Sequence, residues 1–391
     1  MKVYLDNAAT TRPFESVINI MNVVNNDDYG NPSSMHIKGY EAEKYIKASR
    51  DIISKILKVD SKEIYFTSGG TESNNLALIG ASLANNRQGK HIISTRFEHS
   101  SVYNPLLFLE EMGYEIEFIE VDSMGHISLE DLASKIRKDT ILVSTMHVNN
   151  EVGAVQDIEA IAKVIKSVNN KTLYHVDAIQ SFGKFKIFPK RWNVDMMSIS
   201  GHKIHGPKGC GILYVKDKTK IRPIIHGGGQ EKGLRSGTEN VAGIAGIGQA
   251  AKEMYADFTN NVEKMYKLKL RLIEGLSKFE KVTINAVDTE DLKESIYKTA
   301  PHVVSASFEG IRSEVLLHTL EEKGVYVSSG SACSSNHPAI SGTLKAIGVK
   351  NNLLDSTIRF SFSSTSTVQE VDYTLEKLDE VIETLRKYVR H

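Results

Sequence analysis

Short β-rich runs alternate with stretches of helical periodicity through the first half of the chain. The runs with strand character are residues 63–67, 91–94, 116–119, 141–145, 172–176 and 195–199. Stretches with helical spacing, such as 71–84 and 158–168, separate them. This βαβ order predicts a mainly parallel sheet covered by helices, and ligands of such sheets bind at the carboxyl ends of the strands.

The pattern changes near residue 260. A long charged helix is predicted at 262–279, followed by shorter strands and a final helix at 368–389. A chain of 391 residues with 41% hydrophobic and 25% charged residues is also longer than one small core needs. We therefore expect a second, smaller domain.

Overall composition narrows the class of partner. Lysine plus arginine equals aspartate plus glutamate at 48 each, so no global positive field attracts nucleic acid or anionic lipid. No apolar run approaches the roughly 20 residues that span a bilayer, and the N-terminus lacks the apolar core of a signal peptide. Two cysteines do not make a disulfide framework. We expect a cytoplasmic protein that binds a small molecule, without membrane or direct nucleic-acid contact.

The first motif after a strand is Ser68-Gly69-Gly70-Thr71-Glu72, which opens a predicted helix. Glycines let a ligand approach the backbone, and a helix N-terminus favours an anion such as phosphate. An ordinary helix cap formed by Ser68 or Thr71 explains the same residues. The motif is neither a Walker loop nor a GxGxxG fingerprint, so a nucleotide site is not supported.

Two further strand ends carry a histidine and two amides. His99 follows the strand 91–94, where it can stack on a flat cofactor or transfer protons, although most histidines in such places do neither. Asn149 and Asn150 follow the strand 141–145, and turn formation is their alternative role.

The next two strands end in an aspartate and a lysine. Asp177 closes an apolar strand, where its carboxylate can keep a heteroaromatic nitrogen protonated or can cap a helix. Lys203 lies in a turn rich in Gly, His and Pro, where a lowered pKa would allow its amine to form a Schiff base. A solvent-exposed lysine is the alternative.

The two cysteines have different surroundings. Cys333 lies in the polar segment 328–336, which is typical of a solvent-reachable loop and makes it a candidate working thiol, with a small loop residue as the alternative. Cys210 begins an apolar strand, and we expect it to pack in the interior.

Taken in order, these motifs resemble the pyridoxal-phosphate (PLP) enzymes of the aspartate-aminotransferase fold type. Within them, the chain is most similar to the class V branch and its group I cysteine desulfurases, the NifS and IscS type. Further matching segments, which extend the resemblance over nearly the whole chain, are residues 4–11, 30–34, 227–238, 329–333 and 356–361.

The resemblance implies an α/β fold of type I. A large PLP-binding domain at 14–258 would contain a mainly parallel seven-stranded sheet. Residues 1–13 together with 259–391 would form a smaller α+β domain, whose loop at about 326–342 carries Cys333.

The resemblance also implies roles around the cofactor ring. Lys203 would hold PLP and move the Cα proton, and His99 would stack on the ring and assist proton transfer. Asp177 would pair with the ring nitrogen, and Gln180 would hydrogen-bond the phenolic oxygen.

The phosphate and substrate contacts follow in the same way. The phosphate would be bound by Gly70, Thr71, Ser200 and His202, and by Thr238 from the other subunit of a homodimer. Arg359, with Asn150 beside it, would bind the substrate carboxylate through its planar guanidinium. A strand-surface ion pair is the alternative for Arg359.

The implied activity is removal of sulfur from L-cysteine, which gives L-alanine and a persulfide on Cys333. The sulfur would pass to an acceptor protein such as an iron–sulfur scaffold or a tRNA-thiolation protein. The sequence ends at His391 without the C-terminal extension of the housekeeping IscS type, which is the part thought to contact an iron–sulfur scaffold. The resemblance therefore does not extend to docking on such a scaffold.

Two alternatives stay open at this point. Another class V enzyme, a transaminase or a selenocysteine lyase, would share Lys203 and Asp177 without needing a loop thiol. A catalytically inactive sulfur-relay subunit is a second alternative. A metal site is not expected, because His202 and His205 lack companion ligands at a recognised spacing.

Overall fold

The computed structural model describes residues 1–329 and 341–387. Thirteen strands lie in this part of the chain. They are β1 (Val3–Tyr4), β2 (Ile64–Thr67), β3 (His91–Thr95), β4 (Glu115–Ile119), β5 (Thr140–Met146), β6 (Leu173–Asp177), β7 (Met196–Ser200), β8 (Gly211–Val215), β9 (Val282–Ile284), β10 (Val303–Phe308), β11 (Val325–Tyr326), β12 (Ser328–Ser329) and β13 (Thr357–Ser361).

Twelve α-helices connect and cover these strands within the described ranges. They are α1 (Glu15–Asn26), α2 (Ile37–Leu57), α3 (Gly70–Asn85), α4 (Ser100–Glu111), α5 (Leu129–Lys135), α6 (Ile158–Val168), α7 (Val241–Ala256), α8 (Phe258–Leu276), α9 (Leu292–Ser295), α10 (Ser313–Glu322), α11 (Gly342–Ala346) and α12 (Val368–Lys387).

The larger sheet has seven strands in the order β2-β8-β7-β6-β5-β3-β4. Strands β7, β6, β5, β3 and β4 pair in parallel, and β8 runs antiparallel to both of its neighbours. The strands β5, β6, β7 and β8 are buried almost throughout, as expected of a sheet covered by helices on both faces. The predicted mainly parallel seven-stranded sheet is confirmed.

Helix α6 illustrates how the covering helices form. The Asp157 side chain caps its N-terminus by accepting a hydrogen bond from Ala160 N. Ile158, Ile161 and Ile165 are buried on one face and belong to the hydrophobic core around the sheet. This spacing of three and four residues is the amphipathic pattern that predicted the helix.

A second, four-stranded antiparallel sheet has the order β12-β13-β10-β9, and β1 pairs in parallel with β11. A separate hydrophobic core surrounds it, with residues from β1, α8, α10 and α12. The predicted smaller α+β part is therefore present. The domain boundaries at 13/14 and 258/259 stay a prediction.

None of the helices in the described ranges is both long and apolar enough to cross a membrane.

Candidate active site

The carboxyl ends of the large sheet's strands meet at one edge. The register pairs Met146 of β5 with Asp177 of β6, and Asp177 with Ser198 of β7. The loops after five strands, β2, β3, β5, β6 and β7, therefore converge there, as the βαβ order predicted.

A cavity of about 280 Å³ lies at this edge, near the lower end of the size of small-molecule sites. Ten of the site residues expected from the sequence line it: Gly70, Thr71, His99, Asn150, Asp177, Gln180, Ser200, His202, Lys203 and Arg359. Two are not among its lining residues. Thr238 lines a different cavity, beside Cys210 and Arg235, and Cys333 lies outside the described residues.

The first turn of α3 packs closely against two neighbouring loops. A Cβ atom added to Gly70 would lie 2.2 Å from Ile179 Cδ1 and 3.5 Å from Ser200 Cβ. Glycine therefore lets the N-terminus of α3 approach the loops after β6 and β7. The free N–H groups of this turn point to an anion site at one end of the cavity.

The Asp177 carboxylate is buried and held from both sides. Its Oδ2 accepts a hydrogen bond from Asn74 Nδ2 at 2.8 Å, and its Oδ1 accepts one from Ile179 N at 2.9 Å. Burial raises the pKa of Asp177, and these donors, with the nearby Lys203, act in the opposite direction. A cationic ring nitrogen against this carboxylate would further favour its ionised form.

His99 is the N-cap residue of α4 as well as a wall of the cavity. Its Nδ1 accepts a hydrogen bond from Ser101 N at 3.1 Å, so the proton of the neutral ring lies on Nε2. Burial lowers the pKa of His99; the nearby Asp177 carboxylate acts in the opposite direction, and the charges of Lys203 and Arg359 lower it further. The ring is thereby held neutral in a fixed orientation.

The Lys203 amine reaches across the cavity to the N-terminal segment. Its Nζ donates to the carbonyl oxygens of Ala8 and Ala9, both at 2.6 Å. Its own carbonyl oxygen accepts a hydrogen bond from Lys184 Nζ at 2.6 Å. Burial lowers the pKa of Lys184 to about 7. Neither the two alanine carbonyls nor Lys184 was expected from the sequence as a contact of the site lysine.

Arg359 on β13 brings the smaller sheet to the cavity. It is only 4% exposed; Nη2 pairs with Asp6 Oδ1 at 2.8 Å and Nη1 donates to Asn150 O at 2.9 Å. Nε is buried and has no partner among the described residues. The ion pair expected as the alternative exists, but it is mostly buried and lies beside the cavity rather than on the surface. Asn149 takes the turn role, because its Oδ1 accepts hydrogen bonds from the N–H groups of residues 151 and 152.

Glu98, which precedes His99, is half-buried, but its carboxyl oxygen Oε2 is shielded from solvent, and the sequence did not indicate it. Its Oε1 accepts hydrogen bonds from Thr95 Oγ1 at 2.9 Å and from Met146 N at 3.0 Å, and its Oε2 has no partner within the described structure. Burial, together with the nearby Asp177 carboxylate, raises the pKa of Glu98 to about 8. The side chain is therefore largely protonated near neutral pH.

We expect Glu98→Gln to remove a pH dependence of stability. The folded state keeps the Glu98 proton that an unfolded chain releases above its ordinary pKa of 4.5, so wild-type stability falls as the pH rises from 4.5 towards about 8. Near pH 4.5 the variant should have the melting temperature of wild type. Near pH 8 it should melt about 2–4 °C higher than wild type. Melting temperatures across this range, with exposed Glu110→Gln as the control, test this; parallel wild-type and Glu98→Gln curves would contradict it.

Both described ends of the segment 330–340 adjoin the cavity. Ser328 pairs with Arg359 in the small sheet. On the other side, the half-buried Glu151, next to Asn150, accepts hydrogen bonds from the hydroxyls of Ser341 and Thr343. The chain thus leaves and re-enters the described structure beside the proposed substrate end of the site.

Cys210 is buried within the hydrophobic core of the large sheet. Burial raises its pKa to about 12. A thiol with such a pKa is not ionised near neutral pH, so Cys210 has the packing role expected from the sequence.

Among residues 1–329 and 341–387, no group of three or more metal-ligating side chains is close enough to hold a metal ion.

Comparison with known proteins adds an independent observation. The family model for aminotransferase class V matches residues 3–374. A cysteine desulfurase IscS of Methanosarcina thermophila is 40% identical over 384 residues, which cover 98% of this chain and 93% of that protein. The solved structure of a NifS-like protein has a TM-score of 0.92 at 38% identity, over 98% of this chain and 100% of that one. A structure of SspA in complex with cysteine has a TM-score of 0.80 at 33% identity, over 93% of this chain and 100% of that one.

Proposed function

This chain belongs to the class V aminotransferase family, in its cysteine desulfurase branch, and from that premise we propose that it is a PLP-dependent enzyme that removes sulfur from L-cysteine. The observation that carries the proposal is the single cavity in which the Lys203 amine, the Asp177 carboxylate and the His99 ring meet. These three groups follow three different strands of one parallel sheet, so the fold itself brings them together.

The residues of the cavity fit PLP by their chemistry. The Lys203 amine suits the aldehyde, the buried Asp177 suits the ring nitrogen, and the N–H groups at Gly70 and Thr71 suit the phosphate. Ser200 and His202, which follow β7, would complete the phosphate contacts. When bound, PLP supplies an electron-poor ring that accepts the electron pair released at the substrate Cα.

Lys203 and His99 perform the proton transfers in this proposal. With PLP bound, the Lys203 amine would hold the aldehyde group of the cofactor and, once L-cysteine has taken that place, would accept the proton from the substrate Cα. His99, neutral and with its proton on Nε2, would act toward the same cavity as a donor, because its Nδ1 already accepts from Ser101 N. Gln180 would donate a hydrogen bond to the phenolic oxygen of PLP.

Arg359 and Asn150 bind the substrate. The buried guanidinium, whose Nε–H group has no partner among the described residues, is suited to the carboxylate of L-cysteine. Binding of the substrate carboxylate would replace part of the contact between Arg359 and Asp6.

Cys333 is the proposed nucleophile. An extended chain covers about 3.3 Å per residue, so the thiol, four residues after Ser329, reaches up to about 13 Å from that described end. Its thiolate forms an S–S bond with the substrate sulfur while the substrate C–S bond breaks. The electron pair stays with the substrate carbon, which takes up a proton to become the methyl group of L-alanine.

The homodimer and the acceptor are also part of the proposal. Thr238 is exposed and does not line the cavity of its own chain, which supports a role in the site of a second subunit. Arg235 pairs with Glu72 of α3 and thereby holds the Thr238 segment against the large domain. The persulfide would pass to an acceptor protein, such as an iron–sulfur scaffold or a tRNA-thiolation protein, in a cytoplasm that keeps the thiol reduced.

The test uses purified protein loaded with PLP. With L-cysteine we expect L-alanine and, when a thiol reductant is present, an equal amount of sulfide. A keto acid as the product would instead show a transaminase, and turnover of selenocysteine alone would show a selenocysteine lyase. A protein that takes up no PLP would contradict the proposal altogether.

Asp177→Asn is expected to reduce kcat by about 10²–10³-fold, because an amide no longer keeps the ring nitrogen protonated. PLP content should stay near wild type. The matched control is Asp195→Asn, a buried carboxylate at the opposite edge of the sheet that pairs with Lys166. We expect that control to lower stability and to leave kcat within about threefold. Equal kcat losses in the two variants would contradict the role of Asp177.

A further inference from the structure

His302 is a buried histidine from the smaller part of the molecule that reaches the edge of the cavity. It lies directly before β10 and is 1% exposed. Its Nε2 lies 3.1 Å from Oε1 of Gln180, a contact between residues 122 positions apart. The proposed function gives His302 no role.

The backbone fixes which end of the Gln180 amide faces His302. The Gln180 Nε2 donates to the Ala8 carbonyl oxygen at 2.9 Å, and because a carbonyl only accepts, that end of the amide is the nitrogen. The other end is therefore Oε1, so His302 must donate the proton on its Nε2. The amide nitrogen has two hydrogens, and Ala8 accepts one of them.

His302 stays neutral in this arrangement. Its Nδ1 is buried and has no partner among the described residues. Burial lowers the pKa of His302 well below its usual value, and four cations act in the same direction. These cations are Lys184, Lys269, Arg359 and Lys203.

The segment that carries His302 is firmly held. The buried Lys269 of α8 donates to Thr299 Oγ1 at 2.6 Å and to Ala300 O at 2.8 Å. The His302 carbonyl oxygen accepts a hydrogen bond from Phe362 N at 2.9 Å. A donor on such a segment is fixed in space before any ligand binds.

We propose that His302 is a positioning residue that holds the Gln180 amide with an N–H group directed into the cavity, for the phenolic oxygen of PLP. The inference rests on the proposed function. His302 donates to one end of the amide and Ala8 accepts from the other, so the side chain is held at both ends. The smaller part of the molecule thereby helps to set the acidity of a cofactor that the large sheet binds.

The experiment is a pH titration of the visible absorption band of the PLP-loaded protein. A hydrogen-bond donor stabilises the anionic phenolic oxygen, so a poorly held Gln180 should raise the pH midpoint. His302→Phe keeps a ring and removes both nitrogens, and we expect a rise of roughly half to one pH unit, a three- to tenfold change in proton affinity. His302→Gln places an amide nitrogen near the position of Nε2 and should restore the wild-type midpoint.

Controls separate positioning from loss of a buried histidine. His91 is fully buried at the opposite edge of the sheet, and His91→Gln should leave the midpoint unchanged. If His302→Phe does not fold, His302→Leu is titrated in its place. The double variant Gln180→Leu/His302→Phe should shift no further than Gln180→Leu alone.

An unshifted midpoint in a fully loaded His302→Phe protein, or additive shifts in the double variant, would overturn the inference. The proposed function would survive either result. A wild-type protein without a visible PLP band would overturn both.

Discussion

Lys203→Ala is expected to abolish turnover of L-cysteine, with a loss of about 10⁴-fold or more in kcat. The amine has two tasks in the proposal, to hold PLP and to take the Cα proton, and its contacts with the Ala8 and Ala9 carbonyls show that it spans the cavity. The variant should also lose the visible absorption of covalently held PLP. Absorption spectra and alanine formation measure these two effects separately.

The control for Lys203→Ala is Lys208→Ala, an exposed lysine of the same turn. Lys208→Ala should keep wild-type absorption and turnover. A small primary amine added to Lys203→Ala should restore part of the proton transfer, because the missing group is an amine in a preformed cavity. Turnover in Lys203→Ala within tenfold of wild type would contradict the role of Lys203.

Cys333→Ser is expected to have the second-largest effect. Alanine formation from L-cysteine should fall by at least about 10³-fold, because a hydroxyl at neutral pH is a far weaker nucleophile than a thiolate. PLP content and the visible spectrum should stay unchanged, since the cavity residues Lys203 and Asp177 are untouched. The rate of alanine formation per bound PLP, measured for wild type and Cys333→Ser, tests this prediction.

Cys210→Ala is the matched control for the thiol. Cys210 is the buried cysteine of the large sheet, and its removal costs packing alone. We expect it to keep at least half of the wild-type turnover. If Cys333→Ser forms alanine as fast as Cys210→Ala, the Cys333 mechanism is wrong.

The sequence predicted the fold class and most of the cavity because both depend on local order. Strand-end polar residues such as Asp177 and Lys203 are brought to one edge by any parallel sheet with this order, so their positions along the chain predicted that edge. Their roles, and the choice of Gln180 and Arg359 as site residues, came from the family resemblance. Helix α6 appeared at the predicted bounds because its apolar spacing is strong and its Asp157 cap is explicit.

The contacts that the sequence did not predict join segments that lie far apart along the chain. Asp6 pairs with Arg359, and His302 contacts Gln180, through a smaller domain whose packing has no local signature. Lys184 is a charged residue in a buried position, and Glu98 is half-buried with a shielded carboxyl oxygen, whereas residues of both types are usually exposed. Of Glu98 and Lys184, only Glu98 is next to a residue that the sequence predicted for the site, His99.

The direct test of the central claim is where the sulfur of L-cysteine goes. PLP-loaded wild type, Cys333→Ser and Cys210→Ala are each mixed with L-cysteine without reductant, and the intact proteins and their Cys333 peptides are weighed by mass spectrometry. The account predicts one extra sulfur atom on Cys333 in wild type and Cys210→Ala, with an equal amount of alanine, and none in Cys333→Ser. Alanine formed by wild type without sulfur on Cys333 would contradict it.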